Sequence, residues 1–297
     1  MNRSVLIGMM VLIMGMSTFA GGAEAPMNII VFGAHPDDCE LDAGGVAAMW
    51  AEQGHRVKFV STTNGDIGHY TMAGGPLAQR RTKEVRKAAK ILGVETEVLD
   101  NHDGELMPTL ENRKTIIRLI REWKADIVIG PRTNDYHPDH RYTAVLLQDA
   151  AFMVTVPYIC PDIPRLTKNP VFLYASDRFM KPYPFEPDIV VDISGVAEKK
   201  IAAVSVLESQ FLEWNPWLSG RLDEVPEDPE AAKAWVQAAF SKRFAREADK
   251  YRAELASRYG KQRAAAATHA EAFEIAEYGS QPSEEVIRKL FPFFPEK

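Results

Sequence analysis

Short apolar runs alternate with amphipathic stretches over residues 28–152. The apolar runs end at glycine, proline or polar residues, which is typical of strands buried on both faces of a parallel sheet. They predict strands at residues 28–32, 57–62, 97–99 and 126–129. The stretches between them repeat apolar residues at helical spacing and predict helices at residues 43–53, 77–92, 110–123 and 140–152. Asp42 is the predicted N-cap of the first helix.

This alternation predicts an α/β fold of the Rossmann-like, doubly wound type, with a mainly parallel sheet flanked by helices. The usual strand order in such a sheet begins 3-2-1-4, so we expect the first and fourth strands to be neighbours. Ligands of doubly wound sheets bind at the carboxyl ends of the strands, where the strand order reverses. Polar residues that follow the first and fourth strands are therefore the first candidates for a functional site.

The chain changes character in its last third. Further apolar runs predict strands at residues 171–175 and 189–193, helical patterns cover 196–214 and 230–263, and 221–229 is a loop. We expect a single domain over residues 26–297, of which approximately 196–297 is a mostly helical extension packed on the sheet. An exposed helix that makes contacts in an oligomer is the alternative for this extension.

Three aromatic features stand outside the predicted strands. Trp214 and Trp217 either stack on the face of a sugar or pack together at a helix end. His69 and Tyr70 lie in the glycine-rich loop at 64–76, where they could touch a substrate, although loop histidines are more often surface residues. The phenylalanines of residues 291–294 are expected to dock on the core.

The N-terminal segment resembles a secretory signal peptide. Arg3 precedes an apolar run over residues 5–19, and small residues with an Ala23-x-Ala25 pattern follow it. We therefore expect residues 1–25 to direct export to the periplasm or the extracellular space. Cleavage after Ala20 is an alternative because Pro26 would follow a cut at Ala25, and an uncleaved membrane anchor is a second alternative. No later segment is apolar enough to span a membrane.

Composition narrows the range of partners. The 297 residues are 46% hydrophobic and 26% charged with a net charge of −6, which is ordinary for a globular enzyme. No stretch concentrates lysine and arginine without acids between them, which excludes a nucleic-acid surface of the usual kind. The two cysteines, Cys39 and Cys160, make neither a disulfide framework nor a thiolate zinc site.

Two short polar clusters follow the first and fourth predicted strands. Residues 34–40 read AHPDDCE and residues 137–140 read HPDH. If the strand order is 3-2-1-4, both clusters face one pocket although about a hundred residues separate them. Either cluster alone is more often a turn or a pair of surface histidines, but two of them after neighbouring buried strands indicate a site.

The acidic residues of the first cluster call for a cation. Adjacent carboxylates repel one another, and burying them unpaired is costly. Histidine and aspartate suit zinc, and a catalytic zinc site holds three protein ligands and leaves one position open. The remaining carboxylate can then serve as general base for a water whose pKa the metal lowers, and a second histidine can stabilise an oxyanion or protonate the leaving amine. Asp37, Asp38, His137 and His140 offer one group for each task.

The two clusters resemble the paired motifs of the PIG-L/LmbE N-deacetylases. Weaker matches support the resemblance: TNGD at residues 63–66, an R-x-x-E helix start at 81–84 that leads to LGV, DG at 103–104, VDIS at 191–194 and AEAF at 270–273. The resemblance covers about residues 28–210 together with the late AEAF segment. One departure is Asp135, which stands two residues before HPDH where some members of the family carry a tyrosine.

The resemblance implies a role for each residue of the two motifs. It implies zinc ligands at His35, Asp38 and His140, a general base at Asp37, and an electrophile or acid at His137. Asp139 would orient a histidine from behind. Glu40 is, from its position in the sequence, more often a helix-start carboxylate or a supporting acceptor than a metal ligand. The candidate substrate contacts are Arg81 (with Arg80 as its competitor), Asp103, Asp66 and Tyr136.

The function predicted from the sequence is therefore a zinc-dependent hydrolase that removes an acyl group, most simply acetyl, from the nitrogen of an amino sugar or glycan. Other divalent transition metals such as iron, cobalt or nickel fit the same donors. The alternatives are a catalytically inactive zinc protein that binds carbohydrate, and an amidase that acts on a sugar–thiol conjugate. A nucleotide-binding enzyme is disfavoured because G-x-G-x-x-G is absent after the first strand. The sequence is compatible with a homo-oligomer and does not determine the oligomeric state.

Overall fold

A single seven-stranded sheet organises the protein. The computed structural model describes residues 25–295, so nearly all of the predicted signal segment lies outside the described residues. The strands are β1 (Asn28–Gly33), β2 (Arg56–Ser61), β3 (Glu95–Val98), β4 (Ile127–Gly130), β5 (Val171–Ala175), β6 (Ile189–Asp192) and β7 (Ala270–Gly279). Their order is β3-β2-β1-β4-β5-β7-β6, and the first five strands in this order run parallel to one another. The predicted α/β fold and the 3-2-1-4 order are confirmed.

Four helices connect the parallel strands. They are α1 (Asp38–Glu52), α2 (Gly75–Leu92), α3 (Leu110–Trp123) and α4 (Pro138–Met153). The predicted start of α1 was wrong by five residues, because the cap position is Asp37 and not Asp42. The acidic residues 38–42 belong to the helix, where negative charge in the first turn is favourable near the N-terminal dipole. α4 begins at Pro138. The backbone N–H of the first helical residue makes no hydrogen bond within the helix, so proline, which has no N–H, is favourable there.

The last third is helical, with more breaks than predicted. Its helical elements are α5 (Ala197–Ser205), a π-helix (Ser209–Trp214), α6 (Asn215–Leu218), α7 (Pro229–Lys250), α8 (Arg252–Tyr259), α9 (Lys261–Ala266) and α10 (Glu284–Leu290). The single helix predicted over 196–214 is therefore wrong. The long helix predicted over 230–263 is broken at Tyr251 and at Gly260, whose φ of 82° lies in the left-handed region.

β7 was missed, although it lies between β5 and β6 and pairs with both in antiparallel fashion. Its sequence, AEAFEIAEYG, spaces its acidic residues three apart, at 271, 274 and 277, and so lacks the two-residue period of a strand. Alanine and glutamate are strong helix formers, so intrinsic preference misled the prediction. The C-terminal third therefore adds an internal strand, next to the edge strand β6, as well as helices.

A buried ion pair joins this late strand to α1. The Glu271 carboxylate accepts hydrogen bonds from the backbone N–H groups of Gly45 and Val46, at 2.7 and 2.8 Å. Lys200 Nζ donates to Glu271 Oε1 and to the carbonyl of Leu41, both at 2.6 Å. A Cβ on Gly45 would lie 2.9 Å from Glu271 Oε1, so this close approach requires glycine. The middle of α1 is thus held by residues from far along the chain.

Aromatic packing fixes the end of the described chain, as expected from the sequence. The ring of Phe291 lies 5.1 Å from that of Trp50, whose Nε1 donates to the carbonyl of Leu290. Phe291 and Trp50 are both fully buried. Within residues 25–295, no helix has the length and apolar character needed to cross a membrane.

Candidate active site

The turn between β1 and α1 is closed by Asp38. Its Oδ2 accepts hydrogen bonds from the backbone N–H groups of Ala34 and His35, both at 2.8 Å. A Cβ on Gly33 would lie 2.5 Å from the Cβ of Asp38, so only glycine allows the strand to turn this tightly. The turn brings the first motif to the carboxyl end of β1, beside the motif that follows β4.

Three potential ligand atoms from the two motifs form a small triangle. His35 Nδ1 lies 3.2 Å from His140 Nε2, His140 Nε2 lies 3.4 Å from Asp38 Oδ2, and His35 Nδ1 lies 3.6 Å from Asp38 Oδ2. A tetrahedral ion with ligands at the usual zinc distances separates its ligand atoms by roughly 3.3–3.4 Å. The donor types and the spacing of this set both fit zinc.

A looser set of three histidines also surrounds this point. His35, His137 and His140 each offer a ring nitrogen within 4.8 Å of the other two. That limit is wider than the spacing around a tetrahedral ion. The triangle with Asp38 is therefore the better metal site, and His137 lies at its edge.

Carboxylates behind the histidines fix the orientation of the rings. His35 Nε2 lies 3.2 Å from Asp139 Oδ2 and 3.2 Å from Asp103 Oδ1, and His140 Nδ1 lies 2.9 Å from Asp135 Oδ2. Such partners select the tautomer that turns the other ring nitrogen toward a metal. Asp139 of the second motif thus lies behind His35 of the first motif. Asp135 was missed as a site residue; its signal was the departure at the position two residues before HPDH.

Asp139 is itself held rigidly. It is fully buried, and it accepts backbone hydrogen bonds from Gly104 at 2.6 Å and from Leu106 at 3.2 Å. Both donors belong to the loop after β3. The aspartate therefore joins three loops at the carboxyl edge of the sheet, those that follow β1, β3 and β4.

The site carries an excess of negative charge. Burial lowers the pKa of His35, but hydrogen bonds with Asp103, Asp139 and Asp38 outweigh burial and raise the pKa well above its usual value. At His140 burial acts to lower the pKa, but the negative charge of Asp38 outweighs burial, and the pKa rises to about 9. The negative field that favours protons on these rings favours a divalent cation in the same place.

Asp37 and Glu40 are the buried acids next to the triangle. Burial and the charge of Asp38 raise the pKa of Asp37 to about 6. Burial, together with the charges of Asp37 and Asp38, raises the pKa of Glu40 to about 8. A buried carboxylate with a pKa close to neutral pH is suited to accept a proton and return it. Glu40 lies in the first turn of α1, as expected for a helix-start carboxylate.

His137 is poised as a neutral hydrogen-bond donor. Its Nδ1 accepts the backbone N–H of Asp139 at 3.3 Å and caps α4, so the neutral ring carries its proton on Nε2. Burial and the charge of His35 lower the pKa of His137, which favours the neutral form. The ring lies 4.7 Å from that of His35, at right angles to it.

Arg81 is a buried cation beside these acids. Its Nη2 donates to the carbonyl of Gly68 at 2.6 Å and to Oε1 of Gln210. Burial lowers the pKa of Arg81, although the negative charges of Asp37 and Asp103 act to raise it. Arg80, its competitor, instead pairs with Glu213. The structure therefore brings Arg81 to the site, and Arg80 is directed away from it.

The other two candidate substrate contacts lie farther out. Asp66 Oδ2 lies 2.6 Å from His102 Nδ1, and its Oδ1 accepts the backbone N–H of Asp103 at 3.1 Å. Asp66 thus shapes the turn that carries Asp103. The side chain of Tyr136 is 79% exposed, with its ring 6.1 Å from that of His137. Tyr136 therefore lies at the rim of the site.

Comparison with known proteins agrees with this arrangement. A family model described as GlcNAc-PI de-N-acetylase matches residues 30–151, the range that carries both motifs. The diacetylchitobiose deacetylase of Thermococcus kodakarensis is 34% identical over 195 residues, which is 62% of this chain and 72% of that protein. The 4-oxalmesaconate hydratase of Pseudomonas putida is 27% identical over 196 residues, or 62% of this chain and 74% of the hydratase.

The fold has counterparts among solved structures. The N,N'-diacetylchitobiose deacetylase of Pyrococcus horikoshii superimposes with a TM-score of 0.62 at 23% identity, over 84% of this chain and 83% of that one. At this identity the likeness is one of fold. The paired motifs, the family model and the identity to the Thermococcus enzyme together show that this chain belongs to the PIG-L/LmbE family of deacetylases.

Proposed function

We propose that this protein is a metal-dependent hydrolase that removes an N-acyl group, most simply acetyl, from an amino sugar in a saccharide or glycoconjugate. The observation that carries the proposal is the triangle of His35 Nδ1, His140 Nε2 and Asp38 Oδ2, with sides of 3.2–3.6 Å. The names of the similar deacetylases support the N-acetyl sugar as substrate.

We assign the metal to His35, Asp38 and His140, and zinc is the ion that the donor set fits best. When bound, the ion polarises the acyl carbonyl and makes a nearby water more acidic. The carboxylates of Asp139, Asp103 and Asp135 keep both imidazoles in the tautomer that this requires.

Asp37 moves the proton in this proposal. Because burial and Asp38 raise its pKa to about 6, Asp37 is mostly ionised at neutral pH and still basic enough to take a proton from the attacking water. His137 donates its Nε2–H to the acyl oxygen as that oxygen gains negative charge. Asp37 then returns the proton to the sugar nitrogen as the C–N bond breaks, which gives a carboxylic acid and an amine; the acid then passes its proton on, so that the products at neutral pH are a carboxylate and an ammonium ion.

The hydratase among the relatives defines a second candidate, the addition of water to an unsaturated organic acid. Charge argues against it. Asp37, Asp38, Asp103 and Asp139 carry four negative charges at the site, and one divalent ion together with Arg81 offsets only three of them. A substrate with several carboxylates would meet repulsion there, whereas a neutral N-acetyl sugar would not.

An amine-release assay tests the proposal. Purified protein is incubated with N-acetylated mono- and oligosaccharides and with an N-acetylated sugar–thiol conjugate, with and without a chelator, and in parallel with 4-oxalmesaconate. We expect chelator-sensitive amine release and no water addition to the acid. Asp37→Asn should keep near-normal zinc content and lose about 10²- to 10⁴-fold in turnover. Asp162→Asn, on the surface with Arg118, is the matched control.

The outcomes separate the candidates. Bound metal with no amine released from any substrate would support a binding protein, and water addition to the acid would support a hydratase. Release confined to sugar–thiol conjugates would narrow the substrate to that class. Unchanged turnover in Asp37→Asn would remove Asp37 from its assigned role.

A further inference from the structure

Four aromatic rings form a stack on one side of the site. The rings of His69 and Tyr70 lie 4.7 Å apart, those of Tyr70 and Trp217 lie 5.4 Å apart, and those of Trp217 and Trp214 lie 5.3 Å apart. The angles between successive ring planes are 16°, 10° and 19°. We call this set the aromatic ladder. It joins the loop after β2 to the π-helix and α6.

The ladder is continuous with the proposed site. Gly68 accepts the hydrogen bond from Arg81, and a Cβ on Gly68 would lie 3.2 Å from Asp103 Oδ2. Tyr70 is only two residues farther along, so its Cα lies within about 7 Å of that of Gly68. A glycan that places one sugar at the site therefore has its neighbouring rings within reach of the ladder.

A network of charged groups holds the ladder in place. His69, whose side chain is 2% exposed, lies with Nε2 2.7 Å from Glu213 Oε2, and Arg80 binds the same carboxylate. His69 Nδ1 accepts the backbone N–H groups of Thr71 and Met72 at 3.1 and 3.2 Å. The loop and the π-helix are thus fixed to each other before any ligand arrives, which reduces the entropy lost on binding.

One ring of the ladder, Trp217, is more exposed than is usual in a packing cluster. Trp217 is 45% exposed and the neighbouring Leu218 is 64% exposed, although tryptophan is usually highly buried. Glu213 and Arg80 keep about a third of their side chains open to solvent next to these rings. Exposed aromatic surface bordered by charged hydrogen-bonding groups suits a pyranose ring, which has apolar C–H faces and a hydroxyl-bearing edge.

We propose that the aromatic ladder is a binding subsite for further sugar rings of the glycan whose N-acyl group is removed. The preferred substrate is then an oligosaccharide, bound across the site and the ladder, and a free monosaccharide is a poorer one. This inference rests on the proposed function. Trp214 and Trp217 pack on each other at the helix end, as one of the two alternatives predicted, and the proposal adds a sugar to this pair.

Substrate length tests the subsite. The probes are N-acetylglucosamine and its β-1,4-linked dimer and trimer, and the variants are Trp217→Ala and Tyr70→Ala. We expect kcat/KM for the trimer to fall about three- to tenfold through KM, as loss of one aromatic stack predicts, while the value for the monosaccharide is unchanged. Tyr158→Ala, 92% exposed in another loop, is the matched control.

Two results would overturn the subsite: equal losses on monosaccharide and trimer, or no loss on either. An alkyl glycoside of N-acetylglucosamine distinguishes another occupant, because a loss on this probe without a loss on the trimer would assign the ladder to an apolar aglycone. Quenching of tryptophan fluorescence by the trimer in Asp37→Asn separates the two proposals. Quenching that Tyr70→Ala removes, when the wild-type protein releases no amine from any probe, would keep the subsite and reject the hydrolase.

Discussion

Asp37 and Asp38 are adjacent in the chain, and their surroundings drive their pKa values in opposite directions. Burial acts to raise both, but His140 and His35 outweigh it at Asp38 and lower its pKa, whereas at Asp37 the charge of Asp38 adds to burial. Asp38 is thereby kept ionised beside the histidines, whereas the pKa of Asp37 is kept close to neutral pH. This separation of the two pKa values supports a ligand and a base side by side.

At this scale the sequence allowed most of the candidate site to be predicted. The two motifs identified which residues come together, because buried strands and the strand order bring them to one edge. The sequence could not predict which carboxylate lies against which histidine nitrogen, because that pairing depends on the side-chain directions in three loops. Asp139 lies behind His35 and not behind its neighbour His140, and Asp135 takes the place behind His140.

Asp135→Asn should weaken metal binding without unfolding the protein. The amide oxygen can still accept the backbone N–H of His137, but the negative charge behind His140 Nδ1 is lost. We expect about 10- to 100-fold weaker zinc affinity, measured by competition with a chromophoric chelator. Asp149→Asn, on α4 and paired with Arg113, should bind zinc normally. Unchanged affinity in Asp135→Asn would contradict the orienting role.

At the scale of elements, predictability followed the regularity of the pattern. β1 to α4 were predicted within a few residues, apart from the start of α1, because the apolar runs of the strands are short and bounded and α2 and α3 have clear apolar faces. β7 and the π-helix were missed for different reasons. In β7 the residues have a helical preference, but pairing with β5 and β6 makes the segment a strand. The π-helix depends on tertiary packing, which no local sequence pattern encodes.

The Lys200–Glu271 pair makes a sharp prediction for α1. Lys200→Met leaves the buried Glu271 carboxylate without its cation, so we expect about 3–5 kcal/mol loss in the free energy of unfolding. The neighbouring Lys199→Met removes only a surface pair with Glu52, which should cost about 0–1 kcal/mol. Urea denaturation of both variants gives the comparison. Similar stabilities would show that the pair does not anchor α1.

At the scale of the molecule, the proposed metal joins distant parts of the chain. His35 and Asp38 follow β1, and His140 follows β4, so an ion shared among them bridges two neighbouring strands of the sheet. A ligand that binds only the folded state stabilises it by an amount that grows with the logarithm of the free ligand concentration above the Kd. Metal binding should therefore be visible in global stability as well as in activity.

Removal of the metal should lower the melting temperature. At free zinc about 1,000 times the Kd, the free energy of unfolding rises by about 4 kcal/mol, which corresponds to roughly 8–16 °C in Tm. Differential scanning fluorimetry with chelator and with added zinc measures this shift. It should vanish in His140→Ala and persist in His102→Ala, whose histidine is exposed. A full shift in His140→Ala would exclude the assigned ligand set.

The place of β7 has a consequence for synthesis on the ribosome. β5 and β6 come out well before β7, yet they are not neighbours, and β7 must enter the gap between them. Until residues 270–279 have left the exit tunnel, β6 has no strand to pair with and Glu271 cannot reach α1. A nascent chain that already carries both metal-binding motifs would still have an open sheet edge, and ribosome-stalled chains ending before residue 270 should be readily cut by protease at this edge.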